Sequence, residues 1–406
     1  MSPKPATVPR DLTIPEPGST TARVALSGAI RRALQDLSRL SALHDPQLRA
    51  FRPRLKRMLA ETPGAVASIL RLPTIGGLLR CLRRRAPELD FKLGISELLA
   101  TFYTELAVMG ALPEPVVLRR LPPRIVSLVA RRVIELPPAT AKLEFRNHEL
   151  IVFGRGDQTR VELGRADDPE HFPAITDSLA LALVDNNPLA MSEAHPDKQG
   201  NALDLGGKQA SEWTDTLGRG LDIIGQYMPD LRGEIDLYLH QIVPVGYHDR
   251  VHLSASYQEV IGTVYMTLHP QLMTMVEATI HEFQHNKLHA QLELDPLLHN
   301  AFHPLYSSPV RPDPRPLQGV LLAVHAFLPV ARLYQLMRAA NHEGTRSHDF
   351  ERRYAQIVAG NHEAAKVLLE HGQPTEVGRG LLDEIGRWDA HAWDTTIEAE
   401  YSLPEH

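Results

Sequence analysis

The chain has 406 residues, of which 43% are hydrophobic and 23% are charged, and its formal net charge is -6. This length allows two domains, and the acidic balance argues against a dedicated nucleic-acid-binding protein. No apolar run reaches the roughly 18 residues of a membrane span, so we expect no membrane location. The single cysteine, Cys81, excludes an internal disulfide and a thiolate metal cluster. Any metal site must therefore use His, Asp or Glu, and we predict a cytoplasmic protein.

The first half of the chain is predicted to be mainly helical. Residues 1–21 are rich in Pro, Ser and Thr without an apolar core, which predicts a disordered leader rather than a signal peptide. Across residues 22–136 apolar side chains recur at spacings of three and four, which predicts a helical region that includes a helix over residues 125–134. A basic stretch in this region is either a solvated helix face or a docking surface for an acidic peptide. Its arginines are Arg71, Arg80, Arg83, Arg84 and Arg85.

The dipeptide Pro137-Pro138 indicates a domain boundary, after which the apolar period changes to two. Residues 143–163 predict a strand pair, and residues 261–268 predict another extended segment. Residues 270–294 and 317–339 predict long helices. We therefore expect a mainly helical α+β protein, in which the helical region of residues 22–136 precedes a mixed α/β catalytic domain of residues 137–406.

The second of these domains carries an HExxH motif in the sequence His281-Glu282-Phe283-Gln284-His285. Residues four apart lie on one face of a helix, so His281 and His285 present two imidazoles to one point. Glu282 lies roughly 100° further round, where it reaches a water on the metal rather than the metal itself. The apolar stretch before the motif predicts a buried helix, and buried imidazoles need partners. The motif therefore predicts a mononuclear metal site, and two structural histidines are the alternative.

A third ligand must come from another element. Positions 288 and 291 hold Leu288 and Gln291, which excludes the longer metzincin motif, and His289 lies roughly 12 Å along the helix from His281. We predict His325 as the third ligand, because it lies within an apolar helix where a lone imidazole is otherwise a hydrogen-bonded core residue. Glu343 and Glu363 are the candidates if the site is that of a two-His, one-Glu peptidase.

Two blocks of the sequence resemble the HEXXH-motif peptide-modification proteins that are found with ribosomally made peptide natural products. They are residues 281–288, HEFQHNKL, and residues 311–325, RPDPRPLQGVLLAVH. Weaker similarities lie at residues 212–213, 242–244 and 254–262, so the resemblance covers roughly residues 213–325. The chain departs from the family pattern at residues 185–189, DNNPL, where the family typically has a charged or Arg-containing motif.

The resemblance implies an iron(II)- and 2-oxoglutarate-dependent dioxygenase that hydroxylates a side-chain β-carbon in a ribosomally made precursor peptide. With no cysteine triad for a radical SAM cluster, the chain would be the stand-alone form. Three neutral imidazoles from His281, His285 and His325 suit iron(II) and leave positions for the cosubstrate and dioxygen. Glu282 would then act by hydrogen bonding rather than as a base.

The distal carboxylate of 2-oxoglutarate needs a cation, and arginine pairs with both carboxylate oxygens. We predict Arg311 or Arg315, which lie in a proline-stiffened segment just before His325, with surface charge as the alternative. Lys287 is a weaker candidate, because its position two residues beyond His285 turns it away from the metal face.

Two other functions stay open. A zinc metallopeptidase would use Glu282 as the general base that activates water at Zn(II). A non-enzymatic protein would bind a leader peptide through its helical region and keep the HExxH site as a structural one.

Overall fold

The computed structural model describes residues 10–40, 45–87, 89–165, 168–191, 194–195, 198–308 and 311–401. It is 54% helical and 14% strand. The predicted mainly helical α+β class is confirmed.

Eleven helices occur in this described part of the chain. They are α1 (Thr21–Arg39), α2 (Pro46–Glu61), α3 (Pro63–Leu70), α4 (Pro73–Arg84), α5 (Phe91–Val108), α6 (Ala210–Tyr227), α7 (Pro229–Tyr238), α8 (Leu272–Leu292), α9 (Leu317–Ala339), α10 (His348–His371) and α11 (Glu376–Tyr401).

The strands are short and form several small sheets. They are β1 (Val116–Leu118), β2 (Arg124–Ser127), β3 (Arg132–Glu135), β4 (Lys142–Arg146), β5 (Glu149–Phe153), β6 (Gln158–Glu162), β7 (Ala180–Leu181), β8 (Ala194–His195), β9 (Lys198–Gln199), β10 (Gln241–Tyr247), β11 (Ser254–Ala255), β12 (Thr263–Leu268), β13 (Leu305–Ser308) and β14 (Arg311–Pro316).

The chain divides into two compact units that are interleaved in sequence. The first unit contains Met1–Gly28, Thr216–Tyr238 and Gln271–His406, and the second contains Ala29–Asp215 and Leu239–Pro270. The predicted division at residues 136–137 does not separate them. Because the chain enters the first unit three times, no single stretch of linker composition could mark this division.

The second unit packs helices α2 to α5 with the antiparallel sheet β1-β4-β5-β6 around one apolar core. The strand pair predicted over residues 143–163 is present as β5 and β6, and β4 adds a third strand that was not predicted. The helix predicted over residues 125–134 is wrong, since this stretch is the antiparallel hairpin β2–β3 with Ile125 opposite Ile134. The turn of the hairpin contains Arg131 at a φ of 50°.

A second sheet of this unit has the order β11-β12-β10-β7. Strand β10 pairs parallel with β12, in the stretch predicted to be extended, and all six residues of β12 are buried. The hydroxyl of Tyr265, a residue of β12, donates to Asp185 at 2.8 Å and accepts from Asn187 at 3.0 Å. Residues 185–187, where the chain departs from the family pattern, thus hold this sheet in place.

Three of the five arginines of the basic stretch pair with acids of the same unit. Arg80 and Arg83 on α4 both pair with the buried carboxylate of Asp36, and Arg84 pairs with Glu259 at 3.1 Å. These pairs favour a structural role for the stretch over a docking surface.

The first unit contains α7 to α11, the hairpin β13–β14 and an N-terminal segment, packed around a core of leucines from α8, α9, α10 and α11. The leader predicted over residues 1–21 is wrong for its second half. Leu12, Thr13 and Ile14 are buried in this unit, and α1 begins at Thr21. Residues 1–9 lie outside the described residues. Disorder was predicted because residues 1–21 lack an apolar core segment, but Leu12 and Ile14 are enough to anchor this part of the chain in the core.

By length and composition, α9 could cross a membrane, as could the bent pair α3 and α4 taken as one span. The most apolar window of α9 is 72% buried within the protein. Most of this window therefore packs against other parts of the protein.

Candidate metal centre

The motif lies in the middle of α8, which runs without interruption over 21 residues. Met275, Val276 and Ile280 precede it and are fully buried, so the apolar stretch drives this helix into the core as predicted. The continuous helix fixes the spacing between His281 and His285 at about one turn. Both imidazoles are half-buried, whereas Glu282 between them is buried.

The two imidazoles of the motif point to one place. His281 Nε2 and His285 Nε2 are 2.8 Å apart, and their rings are nearly perpendicular at 84°. The ligand atoms of His281, Glu282 and His285 all lie within 4.8 Å of one another. Two nitrogens bound to one ion at about 2.1 Å are separated by roughly 3 Å, so the two rings already have the spacing of a shared metal.

Electrostatics keep both rings neutral. Burial lowers the pKa of His281, and nearby Glu282 and Glu277 partly oppose this effect. Burial lowers the pKa of His285 further, and His281, His289 and His325 add to the shift. Neutral imidazole is the form that binds a metal, because its unprotonated nitrogen keeps its lone pair.

The donor set fits a divalent transition metal. Nδ1 of His281 and of His285 is buried without a hydrogen-bond partner among the described residues. Without a metal, one Nε2–H can donate to the other Nε2, which is the structural-histidine alternative. Two imidazoles with a carboxylate match iron(II) and zinc(II), and two histidines with one carboxylate are typical of non-haem iron(II) sites.

The predicted third ligand, His325, is not in this group. It is fully buried on α9, and its Nε2 donates to the Leu12 carbonyl oxygen at 3.1 Å. Burial lowers the pKa of His325 to about 3, with Lys287 adding to the effect. The structure places His325 with the N-terminal segment, and within the described residues no other His, Cys, Asp or Glu completes the group. This partner could not be foreseen, because Leu12 was predicted to be disordered.

The other acidic and histidine candidates also lie outside the group. The His289 ring stacks on that of His285 with centroids 6.4 Å apart, and burial lowers the pKa of His289 to about 4. Glu363 is exposed on α10 and pairs with Lys366 at 3.0 Å, and Glu343 is exposed in a short turn after α9.

The cations predicted for the cosubstrate have separate positions. Arg315 lies on β14 opposite Tyr306, and its aliphatic stem packs on Gly319 at the start of α9. Arg311 begins the same strand, and its side chain lies outside the described residues. Lys287 is buried in an ion pair with Glu234 at 2.7 Å.

Sequence reasoning missed a charged cluster one turn before the motif. Glu277 accepts hydrogen bonds from Tyr334 at 2.5 Å and from Arg353 at 2.6 Å. These residues line a cavity of about 550 Å³, and Arg353 is near enough to lower the pKa of His281. The one available signal was Glu277 itself, which lies four residues before His281 and therefore on the same helix face.

No protein-family model matches the chain, and a search of curated proteins finds no relative. The case for a metal centre therefore depends on the geometry of α8 and its neighbours.

Proposed function

We propose that the protein is an iron(II)- and 2-oxoglutarate-dependent dioxygenase that hydroxylates a side-chain β-carbon in a ribosomally made precursor peptide in the cytoplasm. The observation that carries this proposal is the convergence of His281 Nε2 and His285 Nε2 at 2.8 Å beside the buried Glu282. The resemblance of residues 281–288 and 311–325 to peptide-modification proteins selects oxidation among the reactions of such a centre.

In this proposal His281 and His285 hold the iron, and Glu282 either completes the ligand set or orients a ligand through a hydrogen bond. Iron(II) with 2-oxoglutarate and dioxygen supplies the oxidising power: one oxygen atom enters succinate as carbon dioxide leaves, and the other enters the peptide. The neutral rings keep their lone pairs available for the metal.

An arginine would bind the distal carboxylate of 2-oxoglutarate. Arg311 and Arg315 remain the candidates from the sequence. Arg353 is added by the structure, because its charge already acts on His281. Its side chain is 45% exposed beside the cavity, so it can bind a further anion while it holds Glu277.

The test is metal analysis under anaerobic conditions, followed by a succinate assay. The purified full chain, reconstituted with iron(II), should bind one equivalent of iron and release succinate from 2-oxoglutarate in the presence of dioxygen. With a precursor peptide, the product should gain one oxygen atom. Iron binding without succinate release, with and without peptide, would refute the dioxygenase.

A zinc metallopeptidase is the second candidate, and one observation favours it. The Glu282 carboxylate is buried within 4.8 Å of both imidazole nitrogens, where it can take a proton from an attacking water. Stoichiometric zinc in the isolated protein, together with cleavage of a peptide substrate, would support this candidate over the dioxygenase.

A further inference from the structure

The N-terminal segment Asp11–Ile14 crosses the interior of the first unit, where one carboxylate binds three of its amides. Glu384 on α11 accepts from the backbone N–H of Leu12 at 2.6 Å, of Thr13 at 3.0 Å and of Ile14 at 3.2 Å. The Thr13 hydroxyl also donates to Glu384. Glu384 is buried, so these donors replace the water that its carboxylate would otherwise need.

The carbonyl oxygens of the segment are bound from the opposite side. Thr13 O accepts from Gln284 Nε2 at 3.1 Å and from Lys287 Nζ at 3.2 Å. Leu12 O accepts from Gln291 Nε2 at 2.8 Å and from His325 Nε2 at 3.1 Å. Apart from the bond made by the Thr13 hydroxyl, all of these hydrogen bonds are to main-chain N–H or C=O groups of the segment. Peptide-binding grooves use the same kind of contact.

Three of the four carbonyl-binding side chains belong to α8. Gln284, Lys287 and Gln291 follow a spacing of three and four and so form one helix face. That face lies roughly 110° around the helix from the face of His281 and His285. The segment is therefore bonded to the same rigid helix that carries the motif, on a different side.

The binding side chains lose their partners if the segment leaves. Lys287 is fully buried and would keep only Glu234, and Glu384 would keep no amide donors from the segment. Buried polar groups without partners are costly, so these helices and the segment are ordered together.

We infer that residues 11–14 act as a built-in peptide ligand that fixes α8, and that metal binding at His281 and His285 is coupled to docking of this segment. The inference rests on the metal centre of the proposed function. It makes His325 and Glu384 positioning residues that act through the segment. Linkage requires the coupling to be reciprocal: a bound metal must hold the segment more tightly, and a weakened segment must bind metal less tightly.

The experiment uses the full chain with zinc(II), which has no redox chemistry, and measures hydrogen exchange of the Leu12, Thr13 and Ile14 amides with and without the metal. We expect about a tenfold or greater slowing of exchange when zinc is bound. This measurement needs no variant, so it stands even if substitutions in the buried network prevent folding.

Two pairs of variants test the reverse direction through zinc affinity in competition with a chelator. Glu384→Gln should weaken zinc binding roughly tenfold, whereas Asp383→Asn, on the exposed side of α11, should not change it. His325→Leu should weaken it similarly, whereas His325→Gln should retain it, because the amide can still donate to Leu12 O.

The outcomes separate the two proposals. A full chain that binds neither zinc nor iron would overturn the metal centre and the coupling with it. Stoichiometric zinc with unchanged amide exchange, and full affinity in Glu384→Gln, would overturn the coupling alone. Loss of metal in His325→Gln with normal folding would also overturn it, since His325 would then be a ligand.

Discussion

Glu277 and Arg353 form a two-pronged ion pair, with Arg353 Nη2 at 2.6 Å and Nε at 3.0 Å from the same Glu277 oxygen. Glu277 lies one helical turn before His281, so its carboxylate and the guanidinium group of Arg353 lie next to the motif. Glu277 is buried, and its carboxylate favours a nearby cation.

Replacing Glu277 should therefore weaken metal binding without removing a ligand. In Glu277→Gln the charge of Arg353 is no longer balanced, which disfavours a divalent cation beside His281, and we expect several-fold to tenfold weaker zinc or iron binding. Chelator competition measures this effect. Asp349→Asn, an exposed acid at the same cavity, is the control and should bind metal like the parent. Equal affinities in both variants would show that Glu277 has no electrostatic influence on the centre.

Substitution of either motif histidine should reduce metal affinity, whereas substitution of the neighbouring His289 should not. His281→Ala and His285→Ala should each lower metal affinity at least about 100-fold, because one of two imidazole ligands is lost. His289→Ala is the matched control, since His289 lies on the same face and stacks on His285 but is outside the ligand group. Metal analysis after gel filtration gives the answer. Stoichiometric metal in both motif variants would place the site elsewhere.

Glu282→Gln separates the two enzyme classes. In a peptidase the substitution removes the base and should lower kcat by several orders of magnitude. In a dioxygenase the carboxylate takes no proton from a nucleophile, so we expect partial succinate release with the metal retained. The comparison requires iron content and turnover of the same preparation. Complete loss of turnover with full metal content would favour hydrolysis.

The cosubstrate cation can be identified by titrating 2-oxoglutarate against Arg311→Ala, Arg315→Ala and Arg353→Ala. A charge-assisted pair with a carboxylate contributes about 2 kcal/mol, so the variant that lacks it should need roughly 30-fold more 2-oxoglutarate at unchanged iron content. Arg352→Ala is the control, because this neighbour of Arg353 is exposed and pairs with Asp349. If all variants titrate like the parent, another cation binds the cosubstrate or the cosubstrate is not 2-oxoglutarate.

The second unit contains a buried acid with a consequence for stability. Burial raises the pKa of Glu105 to about 7, although Ser127 and the Leu128 amide donate to it and oppose the shift. The folded state thus holds this proton more tightly than the unfolded state does. The stabilisation is present below the unfolded pKa near 4.5 and is lost as pH rises toward 7.

Glu105→Gln should remove this pH dependence. Between pH 5 and pH 7.5 the parent should lose roughly 2–3 kcal/mol of unfolding free energy relative to the variant. Urea unfolding at the two pH values measures the difference. Glu61→Gln changes an exposed glutamate of the same unit and should keep the slope of the parent. Parallel behaviour of the Glu105 variant and the parent would show that Glu105 stays charged throughout.

The sequence was informative where the contacts are local. The convergence of His281 and His285 on α8 follows from a spacing of four, which one helix determines by itself. The helix predicted over residues 125–134 failed for a related reason. Ile125, Val129 and Val133 also have a spacing of four, but Ile125 pairs with Ile134 and Val133 with Val126 across a hairpin. Val129 lies in its turn, which ends at Arg131 and is not marked by glycine.

Contacts between distant parts of the chain were beyond sequence reasoning. Arg353 reaches Glu277 across 76 residues, and His325 reaches Leu12 across 313. An imidazole in an apolar helix indicates a partner but does not say whether the partner is a metal or a carbonyl oxygen. Only the burial of Leu12 distinguishes them, and its neighbours Pro3, Pro5 and Pro9 predicted disorder.

The bonds between Leu12 and Glu384 join positions that are 372 residues apart. At a synthesis rate of about 5–20 residues per second, Glu384 is made roughly 20–70 s after Leu12. The stretch from Ala29 to Asp215 is translated in between and supplies most of the second unit. The ribosome therefore completes α8, which carries His281, well before it supplies Glu384, which binds the amides of the N-terminal segment. A chain truncated before α11 should leave the groove for this segment unfilled and exposed to chaperones and proteases.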